Sequence, residues 1–185
     1  MSVGRERLLE KLRREAYREG TFTLASGKTS DFFIDCKRVM LTAEGHLLAG
    51  TALFEELLKV HSDDNRVDGV AGVALGGCPL ASAVSMYSQL QNKPMDALYV
   101  RKEAKDHGTK SLIEGPVPTG SRVVLLEDVM TTGGSSKLAV DHLRAAGYRV
   151  DVILALVDRA EGAIENLRAH GISAHALFKR EDFVR

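Results

Sequence analysis

The chain has 185 residues, 44% of them hydrophobic, so it can bury one substantial core and needs no second full domain. Twenty-five basic residues balance 25 acidic ones, so overall charge predicts no nucleic-acid partner, and any anion site must be built locally. Residues 1–20 lack the apolar centre of a signal peptide, and no apolar run approaches the roughly 20 residues that cross a bilayer. These features predict a cytoplasmic protein without membrane contact.

The N-terminal part predicts two amphipathic helices separated by a hairpin. Apolar residues recur at helical spacing in residues 5–18 and again in residues 43–60. The positions that we expect to be buried are Leu8, Leu9, Leu12 and Ala16 in the first helix and Leu47, Phe54, Leu57 and Leu58 in the second. Between the helices, strand-like ends flank the turn signal "SGKTS" of residues 26–30, which predicts a hairpin or short sheet.

From residue 67 onward, short β-branched runs alternate with helical stretches. The predicted strands lie in residues 67–75, 96–100, 121–128, 149–158 and 173–178. The predicted helices lie in residues 79–93, 135–147 and 163–171, with Gly147 and Gly171 where helices should end. Near-continuous apolar strands in regular alternation with helices predict an α/β protein, a Rossmann-like parallel sheet with helices on both faces.

Cysteines and histidines supply no obvious metal site. Cys36 and Cys78 are too few and too far apart in sequence for a disulfide framework or a zinc knuckle, which predicts two free thiols. The six histidines show no metal-ligand spacing. We therefore expect no tightly held metal.

The most informative stretch is "VVLLEDVMTTGGSS", residues 123–136. An apolar strand ends in Glu127 and Asp128, and small hydroxyl and glycine residues follow. Ligands of parallel sheets bind beyond the carboxyl ends of the strands, where glycines and a helix N-terminus can cradle a phosphate. We expect Ser135 or Ser136 to cap that helix. No lysine follows the glycines, which excludes the common nucleotide-binding loop.

The two acids need a further explanation, because carboxylates repel a phosphate unless they face hydroxyl groups or a divalent cation. A sugar phosphate offers both. Strand alternation predicts that Glu127 and Asp128 point to opposite faces, so their roles need not be equal. An ordinary strand followed by a polar turn would account for the glycines and serines but leaves the double acid unexplained.

A second stretch, "RKEAKDHGTKSLIEG" of residues 101–115, shows neither helical nor strand periodicity, which predicts a long mobile loop. Its basic residues could close over a pyrophosphate and neutralise developing negative charge. By itself such a loop is more often solvated surface. Its position directly before the double-acid strand favours the lid interpretation.

These two stretches resemble the type I phosphoribosyltransferases. The double acid followed by "TTGG" resembles their signature for phosphoribosyl pyrophosphate (PRPP), in which the acids meet the ribose hydroxyls and the following loop holds the 5′-phosphate. The "RKE-x-K-x-HG" pattern is similar to the catalytic lid of the orotate phosphoribosyltransferases. Three further segments resemble the same family, namely residues 26–38 (orotate enclosure), 72–81 (pyrophosphate loop) and 156–163 (orotate carboxylate).

The resemblance implies a magnesium-dependent transfer between orotate and PRPP, with these roles. Catalytic residues are Lys105, His107 and Asp128. Residues for PRPP and its phosphates are Arg101, Lys102, Glu127, Asp128, Thr131, Thr132, Gly133, Gly134, Ser135, Gly76 and Gly77. Residues for orotate are Phe32, Phe33, Thr131, Arg159 and Lys28. The Mg²⁺ would be held mainly by substrate, with Glu127 and Asp128 nearby.

The sequence departs from the family pattern at two positions, where Ala25 and Gly76 stand in place of a lysine found in some members. Lys28, three positions after Ala25, is a candidate replacement. The resemblance also implies a single domain with an N-terminal hood of about residues 1–42, a core of about residues 43–185 and a lid of about residues 102–115. It further implies a homodimer whose lid is shared across the interface. The alternatives are transfer to another base and a non-enzymatic PRPP-sensing regulator.

Overall fold

The structure is a computed structural model that describes residues 3–23, 29–60, 66–102 and 111–184. The helices are α1 (Val3–Glu15), α2 (Lys37–Met40), α3 (Ala43–Val60), α4 (Gly77–Leu90), α5 (Gly134–Ala145) and α6 (Ala163–Arg168). The strands are β1 (Tyr17–Thr23), β2 (Thr29–Ile34), β3 (Gly69–Val73), β4 (Asp96–Val100), β5 (Ile113–Glu114), β6 (Val123–Met130), β7 (Val152–Asp158) and β8 (Ser173–Lys179). A 3₁₀ turn, Arg180–Asp182, follows β8.

The central sheet has six strands in the order β5-β4-β3-β6-β7-β8. Its last five strands are parallel, whereas the two-residue β5 pairs antiparallel with β4 at the edge. The chain starts this sheet at β3, builds outward to β4, and then returns to the other side of β3 with β6. Such a reversal of strand order opens a crevice at the carboxyl ends of the two central strands.

Helices cover both faces of this sheet, as the alternation along β6 illustrates. Val124 and Leu126 are buried in a cluster that includes residues of α1, α3 and α4. Val123 and Leu125 are buried in a second cluster, together with residues of α5 and α6. Because both faces are covered, the central strands carry apolar side chains at nearly every position. The predicted parallel α/β sheet is confirmed.

The N-terminal segment forms the predicted hairpin beside this sheet. Strands β1 and β2 pair antiparallel, with a register irregularity between Glu19 and Phe22. Phe32 of β2 is 1% exposed, and its ring lies 5.1 Å from that of Tyr17 and 5.8 Å from that of Phe183. This aromatic group joins the hairpin to the C-terminal turn. Most of the predicted "SGKTS" turn lies outside the described residues.

Helix α1 buries Leu8, Leu9 and Leu12 as predicted. For α3, the prediction of which residues are buried is wrong at two positions. Leu47 and Leu58 are 50% and 39% exposed. The reason is the close approach of α3 to α4, which requires small residues between them. A Cβ atom on Gly50 would lie only 2.8 Å from Cβ of Ala83. This contact turns the small-residue side of α3 inward and rotates both leucines toward solvent.

The ends of α5 and α6 follow the predicted glycine pattern. Gly147 and Gly171 adopt positive φ angles of 90° and 69°, which glycine tolerates best. Among the described residues, no helix is long and apolar enough to cross a membrane. The proposed boundaries of hood, core and lid remain a prediction.

Candidate active site

A cavity of about 530 Å³ opens in the crevice between β3 and β6. Its lining residues are Lys37, Val73, Ala74, Leu75, Gly76, Lys102, Glu127, Asp128, Val129 and Ser135. Five of the residues predicted from sequence to bind PRPP therefore meet at one site: Gly76, Lys102, Glu127, Asp128 and Ser135. The reversal of strand order explains why this cavity forms here, since the loops after β3 and β6 diverge to opposite faces.

Strand β6 continues two residues beyond its predicted end, so the two acids lie within the strand. Met130 pairs with Asp158 of β7, and the backbone N–H of Arg159 donates to the carbonyl of Met130 at 3.0 Å. This pairing holds the strand extended past the acids. Their side chains point to opposite faces of the sheet, as alternation predicts. Glu127 contacts Ser136 of α5, whereas Asp128 faces Gly76 in the loop after β3.

Glu127 is a buried acid with one close donor. Its side chain is 6% exposed, and Ser136 Oγ donates to Glu127 Oε1 at 2.9 Å. Burial raises the pKa of Glu127 to about 7, with a smaller contribution from the charge of Asp128, whereas the Ser136 hydrogen bond and Lys102 oppose the rise. The residue therefore exchanges its proton near neutral pH.

Asp128 lies closer to the open part of the cavity. Burial raises its pKa, while the charge of Lys37 and the backbone N–H of Val129, 3.0 Å from Oδ1, act in the opposite direction. A Cβ atom added to Gly76 would lie 2.5 Å from Asp128 Oδ1. Gly76 thus lacks a side chain where the carboxylate needs the space, and a lysine there would require the loop or the acid to move.

The segment after β6 leads directly into α5, as the sequence predicts, but the predicted helix cap is wrong. Helix α5 starts at Gly134, and its N-cap is Gly133 with φ 81°, not Ser135 or Ser136. Glycine is favoured because this left-handed conformation is costly for other residues. Ser136 is already engaged with Glu127. The backbone N–H groups in the first turn of a helix have no partner within that helix, and Ser135 of this turn lines the cavity.

The loop itself is held from α6. Asn166 Nδ2 donates to the carbonyl of Thr132 at 2.8 Å. Gly133 lies against the same helix, since a Cβ atom there would be 3.0 Å from Leu167 Cγ. These contacts fix the loop conformation without using the side chains of Thr131 and Thr132. Their hydroxyl groups carry no side-chain hydrogen bond among the contacts of the described residues.

Arg159 follows β7 and reaches the hairpin. Its guanidinium lies 5.7 Å from the centre of the Phe32 ring, and Nη2 donates to the Phe32 carbonyl at 3.1 Å. The same Nη2 lies 2.9 Å from Oε1 of Glu161, and the Arg159 side chain is only 10% exposed. This contact is an ion pair in which the guanidinium is mostly buried. Glu161 presents to Arg159 the same group that a substrate carboxylate would.

The two phenylalanines of β2 behave as strand alternation predicts. Phe32 is buried under Arg159, whereas Phe33 is 39% exposed and its ring lies 5.2 Å from that of Phe22. Phe33 is therefore the member of the pair that is open to a ligand.

The base of the predicted lid has regular structure, contrary to expectation. Ile113 and Glu114 form β5 against β4, and the Arg101 N–H donates to the Leu112 carbonyl at 2.8 Å. Arg101 Nε also lies 3.2 Å from Glu114 Oε1. A two-residue strand leaves too short a pattern to detect in sequence. Lys105, His107 and most of the lid, together with Ala25 and Lys28, lie outside the described residues.

Comparison with known proteins gives the family. Residues 45–169 match the Phosphoribosyl transferase domain family. Over 183 residues the chain is 53% identical to the orotate phosphoribosyltransferase of Sorangium cellulosum, covering 97% of this chain and 93% of that protein. The chain belongs to the orotate phosphoribosyltransferase family.

Solved structures of orotate phosphoribosyltransferases have the same fold. The enzyme from Mycobacterium tuberculosis in complex with Fe(III) dicitrate gives a TM-score of 0.82 at 35% identity, over 98% of this chain and 99% of that chain. The complex of that enzyme with PRPP gives a TM-score of 0.79 at 32% identity, over 97% and 98% of the two chains. The type I phosphoribosyltransferase fold predicted from the sequence is confirmed.

Lys37 and Ser136 are polar residues at this cavity that were not predicted from the sequence as site residues. Lys37 lines the cavity beside Asp128, and Ser136 is the hydrogen-bond donor to Glu127. Lys37 lies 91 positions before Asp128 in the chain, so no local pattern connects them. Ser136 does carry a local signal, since it lies in the first helical turn after the acids, where serine can turn back toward the strand.

Proposed function

We propose that this chain transfers the phosphoribosyl group of PRPP to orotate and releases pyrophosphate, giving orotidine 5′-phosphate in pyrimidine biosynthesis. The observation that supports this most strongly is the convergence of the phosphate loop, the double acid and the Gly76 loop on one cavity. The 53% identity to a curated orotate phosphoribosyltransferase over nearly the whole chain selects orotate among the possible bases.

The proposed chemistry asks the protein to position substrates and stabilise charge. Departure of pyrophosphate leaves a cation-like centre at the anomeric carbon of the ribose, and an orotate nitrogen attacks that carbon. The backbone N–H groups at the start of α5 hold the 5′-phosphate, with Thr131, Thr132 and Ser135 adding hydroxyl donors. Asp128 accepts a hydrogen bond from a ribose hydroxyl. Glu127, on the other face of β6, supports Asp128 in this role.

The lid residues complete this proposal. Arg101, Lys102, Lys105 and His107 would face the diphosphate and stabilise the charge that grows on it as the bond breaks. His107 can also donate a proton near neutral pH. Of these, Lys102 has support from its position in the cavity wall.

The site is compatible with a Mg²⁺ ion that arrives with PRPP. Within the described residues, no three His, Cys, Asp or Glu side chains converge into a group that could hold a metal. Mg²⁺ commonly binds through one or two carboxylates together with substrate phosphates. Asp128 is the carboxylate in position to share such an ion, which when bound would neutralise charge on the diphosphate.

For the base, we propose that Arg159 binds the orotate carboxylate, with Phe33, Thr131 and Lys28 around the ring. A planar guanidinium fits a carboxylate through two parallel hydrogen bonds. Glu161 is paired with Nη2 of this guanidinium, so the orotate carboxylate must displace Glu161 or share Nη2 with it. Phe32, buried beneath Arg159, supports the guanidinium and does not itself face solvent.

The first experiment follows the loss of orotate absorbance on addition of PRPP and Mg²⁺, with hypoxanthine, adenine and uracil as competing bases. Turnover of orotate alone is the expected result. Turnover of another base instead of orotate would mean that the chain is a phosphoribosyltransferase for that base. PRPP binding without turnover of any base would indicate a regulator. A cytoplasmic location belongs to the same proposal, because a charged substrate such as PRPP does not cross membranes unaided.

We also propose a homodimer in which the lid of one subunit serves the site of the other, as the family resemblance implies. Lys105→Ala and Asp128→Asn subunits, each nearly inactive as homodimers, are dissociated, mixed and reassociated. If the lid acts across the interface, each hybrid dimer has one intact site, and random mixing restores about a quarter of wild-type sites. No recovery, with hybrids verified by native mass spectrometry, would reject the shared site.

A further inference from the structure

Lys37 is a cavity residue to which no function has been assigned. It is the first residue of α2 and lines the cavity together with Gly76 and Asp128. Its Nζ lies 2.6 Å from Asp35 Oδ1, and 45% of its side chain remains exposed. Its charge also lowers the pKa of Asp128 against the effect of burial. The ammonium group of Lys37 is therefore held by Asp35 near the Asp128 carboxylate but stays accessible to a ligand.

The charges of the residues that line the cavity indicate why a diphosphate would need the positive charge of Lys37. Among the described residues that line it, the carboxylates Glu127 and Asp128 are balanced by the ammonium groups of Lys37 and Lys102. Arg101, at the start of the lid, is paired with Glu114. A diphosphate brings several negative charges into this space. Without Lys37, the described residues that line the cavity would present the diphosphate with two carboxylates and one exposed lysine.

The loop after β3 cannot supply the missing charge itself. Gly76 lacks the space for any side chain beside Asp128, and Gly77 is packed against the carbonyl of Leu126. The loop can therefore offer the diphosphate only backbone groups. Lys37 reaches the same part of the cavity from α2, a different element of the chain, and can provide a positive charge without displacing Asp128.

We propose that Lys37 binds the diphosphate of PRPP and replaces the cation that the Gly76 loop lacks. Asp35 holds the ammonium group in place while the site is empty. The assignment rests on the proposed function, since it gives Lys37 a role in the PRPP site. Lys37 acts as a substrate-binding residue that also offsets the charge of Asp128 beside the leaving group.

The test compares Lys37→Met with Arg38→Met. Both residues are exposed, adjacent and on the same short helix, so the two variants lose the same charge at nearly the same place. PRPP affinity is measured by calorimetry without any base, and KM is measured for PRPP and for orotate. We expect Lys37→Met to weaken PRPP binding about 10-fold to 100-fold, the range for a lost charge-assisted hydrogen bond.

Arg38→Met should change PRPP affinity less than about twofold, and Lys37→Arg should retain most of it, because the positive charge survives. The KM for orotate should be unchanged in all three variants. Lys37→Gln provides a second neutral variant, and thermal melts establish that each variant is folded. Equal PRPP affinities for Lys37→Met, Lys37→Gln and wild type would overturn the assignment, as would an equal loss in Arg38→Met.

The calorimetric measurement separates this proposal from the proposed function. Wild type that binds PRPP but does not turn over orotate would refute the proposed reaction, and the Lys37 variants would still decide the role of Lys37. Wild type that turns over orotate while Lys37→Met binds PRPP normally would refute only the role of Lys37. Wild type that fails to bind PRPP would reject both.

Discussion

Replacing Glu127 with glutamine should stabilise the folded protein above neutral pH. Glutamine is neutral, has nearly the same volume and keeps an oxygen that can accept the hydrogen bond of Ser136. The wild-type side chain is buried, and its pKa is raised to about 7 from an ordinary value of 4.5. A buried carboxylate with a raised pKa favours the unfolded state once it ionises.

The size of the effect follows from that pKa. Each tenfold change in proton affinity is worth about 1.4 kcal/mol, so ionised Glu127 costs the folded state about 3 kcal/mol. Below pH 4.5 the carboxyl group is protonated in both states, and the cost vanishes. It grows as the pH rises from 4.5 to about 7 and is complete above that. Between pH 5 and pH 8 the variant should therefore gain about 2 to 3 kcal/mol relative to wild type.

Urea unfolding followed by circular dichroism at pH 5 and pH 8 measures this gain. The change in the difference between variant and wild type is the relevant quantity, because any constant cost of the glutamine amide cancels. Glu10→Gln, which removes an exposed carboxylate from α1, is the matched control and should show no comparable gain. A Glu127→Gln difference that is the same at both pH values would refute the assigned burial cost.

Asp128→Asn should leave the fold intact but lower kcat about 100-fold, since a ribose-hydroxyl acceptor is lost at the reacting sugar. Turnover by Asp128→Asn near the wild-type rate would contradict the role of Asp128 as that acceptor. Gly76→Ala should lower kcat/KM about tenfold or more, because the added methyl group displaces the Asp128 carboxylate, whereas Gly4→Ala on open helix surface should have no effect. Arg159→Leu should raise the KM for orotate at least about tenfold and leave that for PRPP within about twofold. Glu161→Gln should lower the KM for orotate, and equal effects on both substrates would argue against base recognition.

Much of this architecture could be predicted from the sequence because it depends on local periodicity. The near-continuous apolar runs of β3, β6 and β7 and the helices between them predict a covered parallel sheet, and the structure has one. The position of Glu127 and Asp128 at the end of such a strand then predicts a ligand site, because all parallel strands end at the same edge. The opposite directions of the two acids also follow from the two-residue repeat of a strand.

Tertiary packing decided the features that depend on contacts between distant segments. Leu47 and Leu58 have the periodicity of buried residues, but the close contact of Gly50 with Ala83 determines which side of α3 faces inward. Gly133 caps α5 because the loop packs against α6, while Ser136 donates its hydroxyl hydrogen to Glu127. Neither outcome can be obtained from the segment itself.

The charge environment of the site is decided in the same way. The pKa of Glu127 is raised because helices cover β6 on the face to which Glu127 points, and the charge of Lys37, 91 positions earlier in the chain, lowers the pKa of Asp128. Hydrophobic and charged patterns in a sequence report the preference of each residue for a helix, a strand or the interior. The free energy of a charge depends instead on the dielectric surroundings and on the groups within a few ångströms, and only the folded arrangement sets those distances.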